Sequence, residues 1–180
     1  RRALPELKTT SEHITTKDAV DHVKENKNIA ASITTHHLLE NTNSFLGDLL
    51  KPELFCKPII KNRSHQIELQ KIALSGNKKF FFGSDSAPHL SKNKFNNQCC
   101  AGVYSSKYSV SNIIEFFSSN NKLKNLDKFL SINGNLHYSL NLNKNKINYN
   151  KIKNYKFITR KKCDSDYLTH YNHYKDYWSF

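Results

Sequence analysis

The sequence predicts an α/β domain built on a parallel sheet. Three short segments, residues 8–15, 29–34 and 79–83, have the apolar or β-branched character of strands, and stretches with helical periodicity follow each of them. This strand–helix order is typical of parallel sheets, because a helix carries the chain back to the start of the next strand. The 180 residues suit one domain of ordinary size or a piece of a larger one.

The first unit begins with the strand over residues 8–15, which we expect to end at His13. Thr15 or Thr16 is placed to cap the helix that follows, because a hydroxyl oxygen accepts a hydrogen bond from a free N–H group of the first helical turn. Asp18 then lies in that first turn, where a negative charge is favourable.

The second and third units repeat this order. Residues 29–34 predict a second strand, and a proline-containing loop separates it from a helix that starts at Ser64. Gly76 is the natural C-cap of that helix, since glycine readily adopts the left-handed conformation found there. Residues 79–83 contain three consecutive phenylalanines and predict a buried strand that ends at Asp85.

Two further helices and an aromatic segment complete the predicted domain. Apolar side chains recur at i, i+3, i+4 and i+7 within residues 109–119, which predicts an amphipathic helix. A shorter helix is expected over residues 126–130. The aromatic-rich residues 167–180 are expected to pack back onto the domain.

The chain is strongly basic, with 28 Lys and Arg against 15 Asp and Glu and a net charge of +13. A nucleic-acid partner would explain this charge. A compositional bias toward Lys and Asn explains it better, because Arg, the better reader of grooves and phosphates, is scarce. Residues 144–162 carry eight basic residues and no acid, and we interpret them as a solvated tail or insertion rather than a nucleic-acid arm.

No membrane span and no disulfide framework are expected. No apolar run approaches the roughly 20 residues that a membrane-spanning helix needs. The cysteines Cys56, Cys99, Cys100 and Cys163 form no Cys-x-x-Cys pair, and the segments that contain them identify no reaction by themselves. A reducing, cytoplasmic compartment fits this pattern best.

Titratable side chains lie at the predicted strand ends, where parallel α/β folds place their chemistry. His13 and Asp85 end two strands, and His89 follows Asp85 by four residues. The loop after the second strand begins with His36 and His37. His13 fits a structural role as well as a metal ligand. Asp85 fits a turn cap as well as a ligand or base, although a carboxylate at this position is expected to face little solvent.

Several strings in the sequence carry a resemblance. In order they are EHITTKDAV, AASITTHHLL, LFCKPIIK, GSDSAPH, CCAG and SINGN. Together they resemble the C-terminal half of a dihydroorotase of the single-domain bacterial and plant type, within the amidohydrolase superfamily. The similarity extends from about residue 5 to residue 143.

This resemblance implies the C-terminal portion of a (β/α)₈ TIM barrel with two zinc ions, which interconverts N-carbamoyl-L-aspartate and (S)-dihydroorotate in pyrimidine biosynthesis. It implies that His13 ligates one zinc ion, and that Asp85 ligates the other and acts as general base and acid. It further implies that His89 binds the substrate carboxylate and that Lys57 and Ala101 contact the substrate, largely through their backbone.

Part of the implied site lies outside the sequence. The family's His-x-His pair, its carboxylated lysine and a further histidine have no counterpart here, and His13 and Asp85 alone cannot hold two metal ions. The three or four strand–helix units also fall short of a barrel, which needs about 250 residues. We therefore expect residues 1–143 to be the C-terminal half of the hydrolase barrel, 144–180 to be a basic segment and aromatic tail, and the chain to be inactive alone.

Other functions stay open from the sequence. A catalytically inactive dihydroorotase-like assembly partner would also lack zinc ligands, and another cyclic amidohydrolase such as a hydantoinase would share the fold. The resemblance implies a small-molecule substrate and a homodimer.

Overall fold

Three parallel strands form the central sheet of the computed structural model, which describes residues 6–142 and 144–180. The strands are β1 (Thr9–Ser11), β2 (Ile29–Ile33) and β3 (Phe80–Phe82). They lie in the order β1-β2-β3, and β2 pairs in parallel with both neighbours. The predicted α/β class is therefore confirmed. The first strand is shorter than predicted, because it ends at Ser11 rather than at His13.

Helices connect and cover these strands. The predicted helices near residues 17, 64 and 109 are present, and the third has the predicted bounds, 109–119. The helical segments are α1 (Lys17–Glu25), α2 (Thr35–Leu39), α3 (Thr42–Leu46), α4 (Arg63–Ser75), α5 (Ser91–Lys94), α6 (Ser109–Ser119) and α7 (Asn133–His137), with 3₁₀ turns at Pro52–Leu54 and Leu123–Asn125 and a π-helical turn at Lys128–Ile132.

Capping residues define the start of α1 and both ends of α4. Thr16 accepts a hydrogen bond from the backbone N–H of Ala19, which confirms the predicted cap of α1. Helix α4 begins at Arg63 rather than at the predicted Ser64. The Asn62 side chain caps it by accepting a hydrogen bond from the backbone N–H of His65. At the other end of α4, Gly76 adopts φ 75°, which is the left-handed conformation predicted for it.

The helix predicted over residues 126–130 differs in the structure. Residues Lys128–Ile132 form a π-helical turn that runs directly into α7. Phe129 from this turn is 1% exposed and packs in the core. The apolar pattern therefore identified the buried face correctly, whereas the backbone winding follows from how that face fits against β3.

The core lies between the sheet and the helices α1, α4 and α6. Burying one large apolar side chain stabilises the folded state by about 1.5–3 kcal/mol, so this cluster contributes most of the stability of the domain. Its fully buried members include Val23, Ala31, Ile33, Leu38, Leu69, Ala73, Phe80, Ile113, Phe117 and Phe129.

The basic segment folds as small antiparallel pairs. β4 (Asn150–Ile152) pairs with β7 (Tyr177–Ser179), and β5 (Arg160–Cys163) pairs with β6 (Asp166–Thr169). All residues of β4 and β5 are exposed, which agrees with a solvated segment. Asn143, at the predicted domain boundary, lies outside the described residues. The boundary itself stays a prediction.

The aromatic end of the chain packs back onto α6, as predicted. The Trp178 indole Nε1–H donates to the Glu115 carboxylate at 2.7 Å. Lys151 Nζ lies 2.8 Å from the same carboxylate and 3.1 Å from Asp176, so one lysine joins β4 to α6 and to the segment before β7.

Neither a bilayer-spanning element nor a disulfide is found in the described residues. No helix there combines the length and apolarity needed to cross a bilayer. Cys56, Cys99, Cys100 and Cys163 are all free thiols.

Glu40 joins the segment after α2 to the C-terminal tail. Its Oε1 accepts a hydrogen bond from the Tyr171 hydroxyl at 2.9 Å and lies 2.8 Å from His173 Nδ1. Burial by itself would raise the pKa of Glu40, but hydrogen bonds from His173, Ser44 and Tyr171 outweigh burial and lower it below its ordinary value of 4.5.

The lowered pKa of Glu40 predicts acid-sensitive stability. The contribution of its carboxylate is fully present above pH 4.5, the ordinary value, and is lost as the pH falls through the lower folded-state pKa. Glu40→Gln should lower the free energy of unfolding at pH 7 by about 1–3 kcal/mol. The loss should shrink toward pH 3 in urea titrations. The exposed Glu25→Gln serves as control, and equal effects of the two variants would contradict the assignment.

Candidate active site

His13 and Asp85 lie at the same edge of the sheet, beyond the ends of β1 and β3. His13 Nε2 is 3.7 Å from Asp85 Oδ1. Both residues have positive φ, 54° for His13 and 38° for Asp85, which is unusual for residues with a side chain. Strained backbone of this kind is concentrated where a side chain must point in one direction, so the structure supports a functional pair here.

Ser32 and Glu12 hold the His13 ring. The Ser32 hydroxyl donates to the Glu12 carboxylate and accepts the backbone N–H of His13 at 2.9 Å. Ser32 Oγ also lies 3.2 Å from His13 Nδ1. Because the single hydroxyl proton goes to Glu12, Nδ1 is placed to donate to Ser32 Oγ. In a neutral ring Nε2 then carries the lone pair and faces Asp85, which is the arrangement that a metal ligand requires.

The exposure of Asp85 differs from the prediction. We expected the carboxylate to face little solvent, but its side chain is 33% exposed, and the His13 side chain is 25% exposed. The expectation was wrong because β3 ends at Phe82, so that Asp85 lies in an open loop beyond the buried strand.

His89 and Ala101 lie next to each other in the structure. His89 Nε2 lies 3.0 Å from the Ala101 carbonyl oxygen. A Cβ at Gly102 would lie 2.8 Å from His89 Cδ2, so only glycine leaves room for the ring there. Lys57 is exposed, and its side chain makes no hydrogen bond to these groups within the described residues. A contact through its backbone stays a prediction.

Lys94 was missed by the sequence analysis. Its ammonium group donates to the carbonyl oxygens of Phe55, Cys100 and Gly102, each at 2.9 Å, and the residue is 6% exposed. Burial lowers the pKa of Lys94. This one side chain joins the loop before Lys57 to the loop that contains Ala101. Nothing in the local sequence distinguishes it from the many exposed lysines.

The His13–Asp85 pair offers one imidazole nitrogen and one carboxylate oxygen. Both are donors that Zn²⁺ accepts in proteins. A closed or catalytic zinc site needs at least three protein ligands, and these two belong to no group of three metal-ligating side chains within the described residues. The pair therefore fits part of a ligand set.

This chain is similar to known proteins in sequence and in fold. The chain is 45% identical to the dihydroorotase of Agrobacterium fabrum over 141 residues, which cover 78% of this chain and 41% of that protein. Among solved structures, the dihydroorotase of Campylobacter jejuni superposes with a TM-score of 0.85 at 32% identity, over 99% of this chain and 52% of that one. This chain is homologous to dihydroorotases. No protein-family model matches it.

Two further solved structures are similar to this chain, one closely and one distantly. A dihydroorotase from Saccharomyces cerevisiae in complex with 5-fluoroorotic acid has a TM-score of 0.82 at 29% identity. A D-hydantoinase has a TM-score of 0.62 at 15% identity, which shows the fold alone. The chain spans about two fifths of the curated dihydroorotases it matches and about half of the solved dihydroorotases.

Gly83 packs closely against Ser32 and His13 in this dihydroorotase homologue. This packing predicts that a larger side chain at position 83 destabilises the fold. A Cβ on Gly83 would lie 2.8 Å from Ser32 Cβ and 3.5 Å from His13 Cε1. Gly83→Ala should lower the free energy of unfolding by about 1–3 kcal/mol through overpacking. Urea unfolding of the variant measures this loss.

Gly134→Ala is the matched control. Its Cβ would meet Phe81 only at 3.4 Å or more, and Gly134 lies in α7, where alanine is preferred over glycine by up to about 1 kcal/mol. A neutral Gly83→Ala variant would show that Ser32 and His13 are not tightly packed.

Proposed function

We propose that this chain is part of a dihydroorotase, which opens the ring amide of (S)-dihydroorotate to N-carbamoyl-L-aspartate and catalyses the reverse reaction. The observation that carries the proposal is the His13–Asp85 pair at the carboxyl edge of the parallel sheet, with Nε2 of His13 oriented toward the carboxylate. Its place in a homologue of curated dihydroorotases supplies the reaction class.

The proposed architecture is the C-terminal portion of a (β/α)₈ barrel. Three adjacent parallel strands with helices between them are the repeating unit of such a barrel. The match to about half of each solved dihydroorotase agrees with a partial barrel. Residues 1–143 would form this portion, and 144–180 would form the tail that packs on α6.

Zinc is the proposed cofactor. His13 would ligate one ion and Asp85 the other, and the remaining ligands would come from residues that this sequence lacks. Bound zinc supplies polarisation of the amide carbonyl and a nucleophile that forms near neutral pH. The free lone pair on His13 Nε2 and the partly exposed Asp85 carboxylate fit this role.

Asp85 and His89 would divide the remaining work. In ring opening, the Asp85 carboxylate takes the proton of the attacking water and delivers it to the departing amide nitrogen, so that it ends the cycle unprotonated. His89 would donate a hydrogen bond to the substrate carboxylate, and the Ala101 backbone beside it would contact the substrate. The same groups in reverse order would catalyse ring closure. The compartment would be the cytoplasm.

The proposal predicts that activity depends on both the missing half and Asp85. The 180-residue chain alone should not turn over dihydroorotate. A chimaera that places the preceding portion of the Agrobacterium fabrum enzyme before this chain should do so. Asp85→Asn in the chimaera should reduce kcat at least about 10²–10⁴-fold, the usual contribution of a general acid–base group. Absorbance of dihydroorotate measures turnover.

Asp127→Asn, an exposed carboxylate outside the site, is the matched control and should leave kcat unchanged. A folded chimaera that hydrolyses hydantoin but not dihydroorotate would favour a different cyclic amidohydrolase. A folded, zinc-loaded chimaera that is inactive on both would favour the inactive assembly partner.

His89 has a separate predicted signature. His89→Asn in the chimaera should raise KM for dihydroorotate about 10- to 100-fold, because a hydrogen bond to a charged group contributes about 1.5–3 kcal/mol. The effect on kcat should be smaller than that of Asp85→Asn. An unchanged KM would exclude His89 from the substrate carboxylate. His65→Asn, on the outer helix α4, provides the control.

A further inference from the structure

Three buried side chains with metal-binding atoms meet close to the end of β2. His36 and His37 lie in α2, directly after β2, and Cys56 lies in the loop before Lys57. Their exposed fractions are 0%, 2% and 1%. One potential ligand atom from each lies within 4.8 Å of the other two, and Cys56 Sγ is 3.5 Å from His37 Nε2.

The His36 ring has an unusual environment for a buried imidazole. Neither Nδ1 nor Nε2 of its ring has a hydrogen-bond partner within the described residues, although the side chain is fully buried. Leaving a buried polar group unpaired costs about 1–3 kcal/mol, and natural structures rarely carry such a group without a reason. The ring lies against His37, with centroids 4.6 Å apart, and one of its nitrogen atoms is within 4.8 Å of ligand atoms of both His37 and Cys56.

We propose that His36, His37 and Cys56 form a metal site for Zn²⁺ that is separate from the His13–Asp85 pair. Two imidazole nitrogens and one thiolate are a donor set that zinc binds in preference to calcium or magnesium. With Zn–N near 2.0–2.1 Å and Zn–S near 2.3 Å, a tetrahedral site separates N from S by about 3.6 Å. The observed separation of 3.5 Å between Cys56 and His37 matches that edge.

Thr34 and Pro58 contact the two ring nitrogens of His37. Thr34 Oγ1 lies 2.8 Å from His37 Nδ1. The Pro58 carbonyl oxygen lies 2.7 Å from His37 Nε2 and 3.4 Å from Cys56 Sγ, so it accepts the hydrogen bonds that both groups give up when they bind the metal. On binding, the thiol releases its proton to solvent. The proton on Nε2 moves to Nδ1, where it is donated to Thr34, and the Nε2 lone pair goes to the metal.

The consequence of such a site is structural. It would fix α2, at the end of the central strand, to the loop of Cys56. That loop leads directly to Lys57 and is held from its other side by Lys94 through the Phe55 carbonyl. Because its three side chains are excluded from solvent, the role of the site would be to position the loop rather than to catalyse.

Cobalt substitution tests the proposal, because a cobalt–thiolate bond gives a charge-transfer band in the near ultraviolet that oxygen and nitrogen ligands do not. The probe is CoCl₂ added to the metal-free 180-residue chain in the Asp85→Asn background, which disables the other pair. We expect one ion to be retained per chain, with the charge-transfer band. Cys56→Ser should abolish the band, and His36→Gln should weaken cobalt binding at least about tenfold.

Cys163→Ser is the matched control, since Cys163 is exposed in β5, and it should leave the band unchanged. Absence of the band in the Asp85→Asn chain would overturn the proposal. A band that survives Cys56→Ser, or that disappears with Cys163→Ser, would overturn it as well.

A second measurement needs no substitution in the core and decides the question if Cys56→Ser fails to fold. The unsubstituted chain is treated with iodoacetamide with and without ZnCl₂, and each cysteine is read by peptide mass. Zinc should slow alkylation of Cys56 at least about tenfold, because a metal-bound thiolate is not free to react. Alkylation of Cys163 should not change. Equal rates at Cys56 with and without zinc would overturn the site.

Discussion

The parallel pairing of β2 with both β1 and β3 is the constraint on which the candidate site depends. Parallel strands end at the same edge of a sheet, so the residues beyond β1 and β3 meet even though some 70 residues of chain separate them. Ser32 in β2 lies between the two and fixes the His13 ring through its hydroxyl. Two residues later, Thr34 begins α2 and contacts His37. Strand β2 and the residue that follows it therefore contact both the His13 ring and the His37 ring.

The loops at this edge are held by polar side chains rather than by regular pairing. Lys94 satisfies all three of its ammonium donors on carbonyl oxygens of two loops, which is the arrangement that allows an ammonium group to be buried. Glu40 similarly joins the segment after α2 to Tyr171 and His173 in the tail. The aromatic C-terminal tail is therefore part of the packing around the loops at this edge.

The proposed dihydroorotase chemistry and the proposed buried zinc site occupy the same end of the sheet but require different environments. His13 and Asp85 are partly exposed, which suits groups that must meet a substrate and exchange protons. His36, His37 and Cys56 are excluded from solvent, which suits a closed structural site. Burial raises the pKa of the Cys56 thiol to about 11, so this cysteine is protonated at neutral pH until a metal displaces the proton.

The sequence by itself determined the α/β class, the Thr16 cap of α1, the Gly76 cap of α4 and the bounds of α6, and it pointed to His13, Asp85 and His89 as candidate site residues. These features depend on local periodicity, on single capping residues and on short motifs, which act over a few positions. Only the tertiary structure decided the hydrogen-bond partners of His13, the burial of Lys94, the exposure of Asp85 and the meeting of Cys56 with two histidines. These depend on contacts between residues far apart in the chain, where the packing of whole elements sets both solvation and hydrogen-bond partners.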